Sequence, residues 1–169
     1  MRVLVLGATG LLGSSVFHVL SERKDWIVFG TLRTKESKRF FAPGLSRNLV
    51  VGVDVLDQVD LIKLFEHTKP DVVINCISLA KPLLSAGGPL DIIPIYALLP
   101  HRLTHLCSLA GARLVHISTD GVFSGSKGLY KEDDIPDARD IYGLSKLMGE
   151  VSVSHAITLR TSMRGPELQ

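Results

Sequence analysis

The sequence predicts an α/β protein built on a doubly wound parallel sheet of about six strands with helices on both faces, and three observations predict it. Short Val/Leu/Ile-rich runs, apolar throughout, recur along the chain, as strands buried on both faces require. Between them stand stretches whose apolar residues fall at helical spacing. The first run closes on Gly7-Ala8-Thr9-Gly10-Leu11-Leu12-Gly13, with glycines at i, i+3 and i+6. Such a turn lets a strand enter a helix sharply and leaves N–H groups at the helix start for a phosphate. In sheets of this kind, ligands lie outside the C-terminal strand ends.

Arg2 to Leu6 is the first strand, and Leu11 to Glu22 the first helix, with Leu12, Val16, Val19 and Leu20 on one side. Trp26 to Leu32 is the second strand, ending at Arg33, and Leu49 to Val53 the third, ending at Asp54-Val55. The polar, basic stretch Thr34 to Arg47 reads as a short helix plus loop. Asp57 caps a helix with Leu61, Leu64 and Phe65 on one face, closed by Lys69-Pro70 before the fourth strand, Asp71 to Ile77. After a Gly/Pro-rich loop, Lys81 to Pro89, a helix lined by Leu99, Leu103, Leu106 and Ala110 stops at Gly111; Pro94 is tolerated in its first turn and Pro100 is expected to kink its middle. Arg113 to Ser118 is the fifth strand. A long loop, Thr119 to Pro136, carries Gly121, Gly125, Gly128 and the acidic cluster Glu132-Asp133-Asp134, read as solvated surface and not as a metal site. Asp137 is expected to cap a last helix, with Asp140 in its first turn, running to about Val153; Ala156 to Thr161 is the sixth strand.

At 169 residues and 18.4 kDa the chain fits one domain, 1–169. Its formal charge of +2 comes from 19 Lys+Arg against 17 Asp+Glu, without a basic run or aromatic-basic interleaving, so no nucleic-acid role is expected. Cys76 and Cys107 lack CxxC spacing and indicate neither a zinc knuckle nor a disulfide framework, so reduced cytoplasmic thiols are expected. The run Val3 to Leu20 imitates a signal peptide, but Gly7, Gly10, Gly13, Ser14, Ser15 and His18 interrupt it. No stretch approaches the ~18 uninterrupted apolar residues of a membrane span. His101 and His105 share a helical face without an HExxH carboxylate between them, so zinc is not expected; His18, His67, His116 and His155 carry no functional signal.

The residues just after each strand are the ones that point to chemistry. About 20 residues past the third glycine, where an NAD site offers Asp or Glu to the ribose hydroxyls, stands Thr31-Leu32-Arg33. Arg33 suits a 2′-phosphate, which its guanidinium grips with two parallel hydrogen bonds, and the missing carboxylate removes the repulsion; Lys35 or Arg39 are alternatives. Tyr142 and Lys146 stand four apart on the last helix, so the ammonium lies close enough to bias the phenol toward its anion. That spacing is common on helices. Its place after a strand ending in Ser118-Thr119 puts a hydroxyl where the nicotinamide half of a dinucleotide projects.

Gly7-Ala8-Thr9-Gly10-Leu11-Leu12-Gly13, Asp54-Val55, Asp71-Val72-Val73-Ile74-Asn75-Cys76, Ser118-Thr119-Asp120-Gly121-Val122-Phe123-Ser124-Gly125, Tyr142-Gly143-Leu144-Ser145-Lys146 and Leu159-Arg160-Thr161-Ser162 occur in this order. In them the chain resembles the extended short-chain dehydrogenase/reductases, and among these the dTDP-4-dehydrorhamnose reductase-like sugar-nucleotide reductases, over essentially its entire length. The resemblance implies an NAD(P)-binding Rossmann-like domain, with NADP(H) favoured over NAD(H), and hydride transfer to the 4-keto carbon of a nucleotide-linked deoxysugar for cell-surface polysaccharide precursors. It implies Tyr142 as proton donor. A free phenol, with a pKa near ~10, is too weak for that at neutral pH, and Lys146 is implied to lower it and to hold the nicotinamide ribose. Thr119 would bond the substrate carbonyl, a role Ser118 shares or takes over. For the cofactor, Gly10, Leu11 and Leu12 would present N–H groups to the pyrophosphate within a turn completed by Gly7, Thr9 and Gly13. Asp54 and Val55 would flank the adenine, Cys76 and Ile77 would line the ribose side, and Cys76 would act as a small packed side chain.

Two features depart from the family. Tyr96 stands where relatives carry an asparagine whose amide supports a water-linked proton path to the lysine. The family also continues past the position of Gln169 into a smaller lobe that grips the nucleotide-sugar, so the chain is expected to be the dinucleotide-binding part, without most substrate contacts. The alternatives are a non-catalytic NADP-binding regulatory or interaction subunit on the same fold, and a sugar-nucleotide epimerase or dehydratase, which would retain NAD and which Arg33 argues against. A homodimer is compatible with either.

Overall fold

A computed structural model describes residues 1–79 and 88–162, so most of the loop Lys81 to Pro89 falls outside the described residues. Six strands, β1 (Arg2–Leu6), β2 (Ile27–Leu32), β3 (Leu49–Val51), β4 (Val72–Asn75), β5 (Arg113–Thr119) and β6 (Ala156–Thr161), form one sheet in the order β3-β2-β1-β4-β5-β6. Every pairing is parallel: Val3 lies opposite Val28 on one side and Val72 on the other, and Thr119 opposite Thr161 at the far edge.

β1 occupies the middle, and its apolar run follows from that position. Val3, Leu4, Val5 and Leu6 are all buried, because successive side chains enter opposite faces and both faces are covered. Leu4 and Leu6 join Leu61, Leu64, Val73, Leu99, Leu103 and Leu114 on one side. Val3 and Val5 join Phe17, Val28, Leu32 and Leu49 on the other. Helix α1 (Leu11–Ser21) supplies Phe17 to the second layer; α2 (Gln58–Thr68) and the helix that carries Leu99 and Leu103 supply the first. The strand order reverses between β1 and β4, which places a ligand crevice at their C-terminal ends.

Local signals set most boundaries. The Asp57 carboxylate accepts from the Val59 and Asp60 amides at 2.7 and 3.0 Å, capping α2 as expected, and Lys69 closes it in a left-handed conformation with φ 41°. Gly52, at φ 78°, ends β3 two residues earlier than the apolar run suggested. Thr34 to Arg47 folds into two 3-10 turns, Glu36–Phe40 and Ser46–Asn48.

Two expectations are corrected. The long helix is three joined pieces, α3 (Pro89–Ile93), a π-helical turn (Pro94–Leu98) and α4 (Leu99–Ala110). Pro94, without an N–H, opens the irregular turn and Pro100 lies two residues past its end, so the irregularity sits in the turn before Pro100, and Pro94 falls inside the helical run and not in its first turn. The last helix, α5, runs only Ile141–Met148, and its cap is Asp140, whose carboxylate accepts from the Gly143 amide at 2.9 Å. Asp137 instead gathers the loop before it, accepting from the Ser124 amide at 2.6 Å and the Tyr130 hydroxyl at 3.0 Å. With its carboxylate taken by Ser124 and Tyr130, Asp137 has no acceptor turned to the amides that follow it, as a cap requires.

In the acidic cluster, Asp134 pairs with Lys127 at 2.6 Å. No helix among the described residues is long and apolar enough to cross a membrane.

Candidate functional site

The glycine turn is built from backbone. Gly7 adopts φ 79°, its amide donates to Thr31 Oγ1 at 3.1 Å, and the Ala8 amide donates to Thr31 O at 3.2 Å. A Cβ on Gly13 would overlap Gly7 O, so only glycine lets α1 approach β1 this closely. Gly10, the residue preceding α1, has no side chain with which to cap it, which leaves the first-turn amides open at the positive end of the helix. The Gly10 amide itself is spent on Gly7 O at 3.0 Å. The amides of Leu11, Leu12 and Gly13 are left without a backbone acceptor, with half-buried Thr9 beside them.

Beside this turn lies a cleft of about 220 Å³. Leu12 from α1, Cys76, Ile77 and Ser78 after β4, Ile117 to Asp120 at the end of β5, Tyr142 and Lys146 from α5, and Thr161 and Ser162 at the end of β6 line it. The structure thus brings together Leu12, Cys76, Ile77, Thr119, Tyr142 and Lys146 from the sequence-predicted set. Arg33, Asp54 and Val55 lie outside the cleft, beyond β2 and β3. Arg33 is exposed. Asp54 folds its carboxylate back onto the Leu56 amide at 2.9 Å, and Val55 packs on the core.

Lys146 is 5% exposed, and its Nζ donates to Ile117 O at 2.6 Å while lying 5.0 Å from the centre of the Tyr96 ring. Burial lowers its pKa to about 8, against the opposing pull of Glu150 and Cys76. Burial also pushes the Cys76 thiol up to about 12, so near neutral pH Cys76 is uncharged and Glu150 supplies the negative charge that supports the ammonium. The rings of Tyr142 and Tyr96 meet edge to face, 5.5 Å between centres.

The two hydroxyls at the end of β5 are committed differently. Thr119 Oγ1 accepts from the Gly121 amide at 3.0 Å and faces Asp120 Oδ1 at 3.2 Å. Ser118 is 2% exposed and donates to Glu150 Oε1 at 2.8 Å. Arg160 holds that carboxylate through Nε and Nη2, both at 2.8 Å. Ser118 thus lines the cleft with its hydroxyl proton directed to Glu150, whereas Thr119 keeps its hydroxyl beside Asp120.

Several residues that matter here are not among the sequence-predicted site residues. A Cβ on Gly143 would overlap Gly121 O, and one on Gly149 would overlap Tyr96 O, so both ends of α5 dock backbone to backbone and thereby set Tyr142 and Lys146. Glycines just after the tyrosine and at the end of the helix were the available clue. Asn75 and His116 form a buried pair under the cleft. The Ile77 amide donates to Asn75 Oδ1 at 3.2 Å, which turns Nδ2 toward His116 Nδ1 at 3.2 Å. Nδ1 is then the acceptor and the proton of the neutral ring sits on Nε2, which has no partner among the described residues. Burial, with Lys146 and His101 nearby, lowers the His116 pKa to about 3.

A parallel sheet in this order, a glycine turn after its first strand, and a tyrosine and a lysine one helical turn apart beside a strand-end threonine define the Rossmann-like class of the short-chain dehydrogenase/reductases. The chain belongs to the family described as RmlD substrate binding domain, whose family model matches residues 1–164. It is 30% identical over 154 residues to methionine adenosyltransferase 2 subunit beta of Xenopus tropicalis, covering 91% of this chain and 43% of that protein. It is 32% identical over 154 residues to a probable low-salt glycan biosynthesis reductase of Haloferax volcanii, covering 90% of this chain and 49% of that protein. The chain spans less than half the length of the curated relatives it matches. Among solved structures, a hypothetical dTDP-4-dehydrorhamnose reductase from Sulfolobus tokodaii superposes with TM-score 0.81 at 31% identity, over 99% of this chain and 58% of that one. A dTDP-4-dehydrorhamnose reductase from Bacillus anthracis in complex with NADP superposes with TM-score 0.65 at 27% identity, over 88% of this chain and 47% of that one.

Proposed function

We propose that this chain is the cofactor-binding part of an NADP(H)-dependent reductase acting on the 4-keto group of a nucleotide-activated deoxysugar. The observation that carries the reading is the convergence of Thr119, Tyr142 and Lys146 in one cleft beside an uncapped helix start. The donor set fits a dinucleotide. Leu11 and Leu12 present amides to the pyrophosphate, exposed Arg33 meets a 2′-phosphate, Asp54 and Val55 flank the adenine, and Cys76 and Ile77 line the ribose. When bound, the reduced nicotinamide supplies the hydride.

The protein's share is orientation and proton transfer. Tyr142 gives its phenolic proton to the substrate carbonyl oxygen, and the Lys146 ammonium stabilises the phenolate left behind and holds the nicotinamide ribose. Thr119 bonds the same carbonyl oxygen, exchanging its contact with Asp120 for one with substrate. Free, buried Cys76 and Cys107 fit a reducing, cytoplasmic setting. Calorimetry of NADPH and NADH on the purified chain tests the cofactor reading, and no saturable binding of either refutes it. Tyr142→Phe is expected to abolish reduction of a nucleotide-linked keto sugar with cofactor affinity kept; retained turnover rejects Tyr142 as the acid.

A second reading, a non-catalytic NADP-binding regulatory subunit, is favoured by the likeness to methionine adenosyltransferase 2 subunit beta across nine-tenths of the chain. Binding of NADPH without turnover of any keto sugar, together with a changed rate of a partner enzyme on adding the chain, would select it.

A further inference from the structure

Lys146 has three donors, yet among the described residues it makes one hydrogen bond, to Ile117 O. What lies against the rest of the buried ammonium is the face of Tyr96, with Nζ 5.0 Å from the ring centre, inside the range of a cation–π contact. The ring is held on every side. It is 1% exposed. Its hydroxyl accepts from the Leu79 amide at 2.8 Å and bonds Ser78 Oγ at 3.0 Å. Tyr142 packs against the ring, and Gly149 lies against its carbonyl. The π-helical turn Pro94–Leu98 carries it, and irregular turns of that kind re-aim a side chain that a regular helix would point elsewhere.

We propose that Tyr96 is a positioning residue for the cleft: its ring face carries the Lys146 ammonium while its hydroxyl pins Ser78 and Leu79, so one side chain fixes the lysine relative to the wall it works against. The functional meaning rests on the reading of the cleft as a dinucleotide site; the contact itself does not.

The groups facing Lys146 leave this role to Tyr96. From the end of β4 comes the Cys76 thiol, neutral because burial holds its pKa at about 12. From β5 comes His116, neutral with its pKa lowered to about 3. From the α5 side come Tyr142 and, just past the helix, Glu150, whose carboxylate is already gripped by Arg160 and Ser118. His101 on α4 faces Met148 O at 2.7 Å. The aromatic face therefore supplements Ile117 O as a fixed, uncharged partner for the cation.

The test reads Lys146 directly. In lysine-labelled protein the Lys146 side-chain resonance, assigned by its absence in Lys146→Met, is titrated by NMR in the wild type, in Tyr96→Phe, in Tyr96→Leu, and in chains carrying mono-, di- and trifluorinated phenylalanine at position 96. Fluorination drains the ring face of negative charge with little change of shape, so these variants keep the packing even where Tyr96→Leu fails to fold. From a wild-type midpoint near about 8, Tyr96→Phe is expected to stay within about 0.2 unit, and the fluorinated series to fall stepwise by about half a unit in total. A midpoint unmoved across the fluorinated series overturns the proposal. So does a Tyr96→Phe midpoint displaced as far as that of the trifluorinated chain, since the hydroxyl would then be responsible. The pH dependence of NADPH affinity, followed in parallel, is expected to track the same midpoints. Absence of NADPH binding would count against the dinucleotide reading alone, and the titration would still decide the role of Tyr96.

Discussion

The turn at the end of β1 and the wall formed by β5 and α5 face one cleft, and they are made in opposite ways. The first is backbone: Gly7 in a left-handed conformation, Gly13 against Gly7 O, and helix-start amides with no side chain over them. The second is side chain: Lys146 between Ile117 O and the Tyr96 ring, Ser118 on Glu150, Glu150 on Arg160. A backbone site binds what peptide groups bind, an anion, and has little to titrate. A side-chain wall can hold a proton at a chosen pH, at the cost of burying charge. The division suits a site that must both grip a phosphate-bearing ligand and move a proton.

Gly13 is where the backbone half gives way most directly. In Gly13→Val the new side chain meets Gly7 O, a backbone atom that cannot yield, and we expect a loss of about 3 kcal/mol or more in urea unfolding together with loss of NADPH binding. Lys146→Met probes the other half. It should fold, since it removes a buried charge, yet weaken NADPH by about 10- to 100-fold in calorimetry, as losing charged hydrogen bonds does. The same variant carries a pH signature. The folded pKa of about 8 lies below the ordinary lysine value of 10.5, so between those values the unfolded chain binds the extra proton and wild-type stability rises with pH. Lys146→Met should lack that rise, and a rise of equal size in both proteins would contradict the assignment.

His116 extends the same contrast to the acid side. Its folded pKa of about 3 lies below 6.5, so the unfolded chain binds a proton the folded one refuses, and stability falls as pH drops from about 6.5 toward 3. His116→Phe should flatten that limb in unfolding midpoints taken at successive pH values. Arg33→Ala is expected to cost about tenfold in NADPH affinity, the worth of a charged hydrogen bond, with NADH affinity and stability unchanged; equal losses for both cofactors would remove Arg33 from the 2′-phosphate. The smallest effect separates two aspartates: Asp140→Ala should cost about 1 kcal/mol through loss of the α5 cap, a change in helix content that Asp137→Ala should not reproduce.

The amino-acid sequence alone sufficed for the six strands, the glycine turn, the Asp57 cap and the pairing of Tyr142 with Lys146 on one helix face. Each is a local pattern, set by strand burial, left-handed backbone or helical period, and legible within about ten residues. Which of Asp137 and Asp140 caps α5 was settled by tertiary contacts, because the Asp137 carboxylate is taken by Ser124 and Tyr130 while that of Asp140 is left to the Gly143 amide. Tertiary packing also committed the Ser118 hydroxyl to Glu150, paired Asn75 with His116 across β4 and β5, and laid Tyr96 against Lys146. Those contacts join residues 32, 41 and 50 positions apart, by Ser118 with Glu150, Asn75 with His116 and Tyr96 with Lys146. No short window of sequence spans such distances, and only the packing of the helices onto the sheet brings their members within reach.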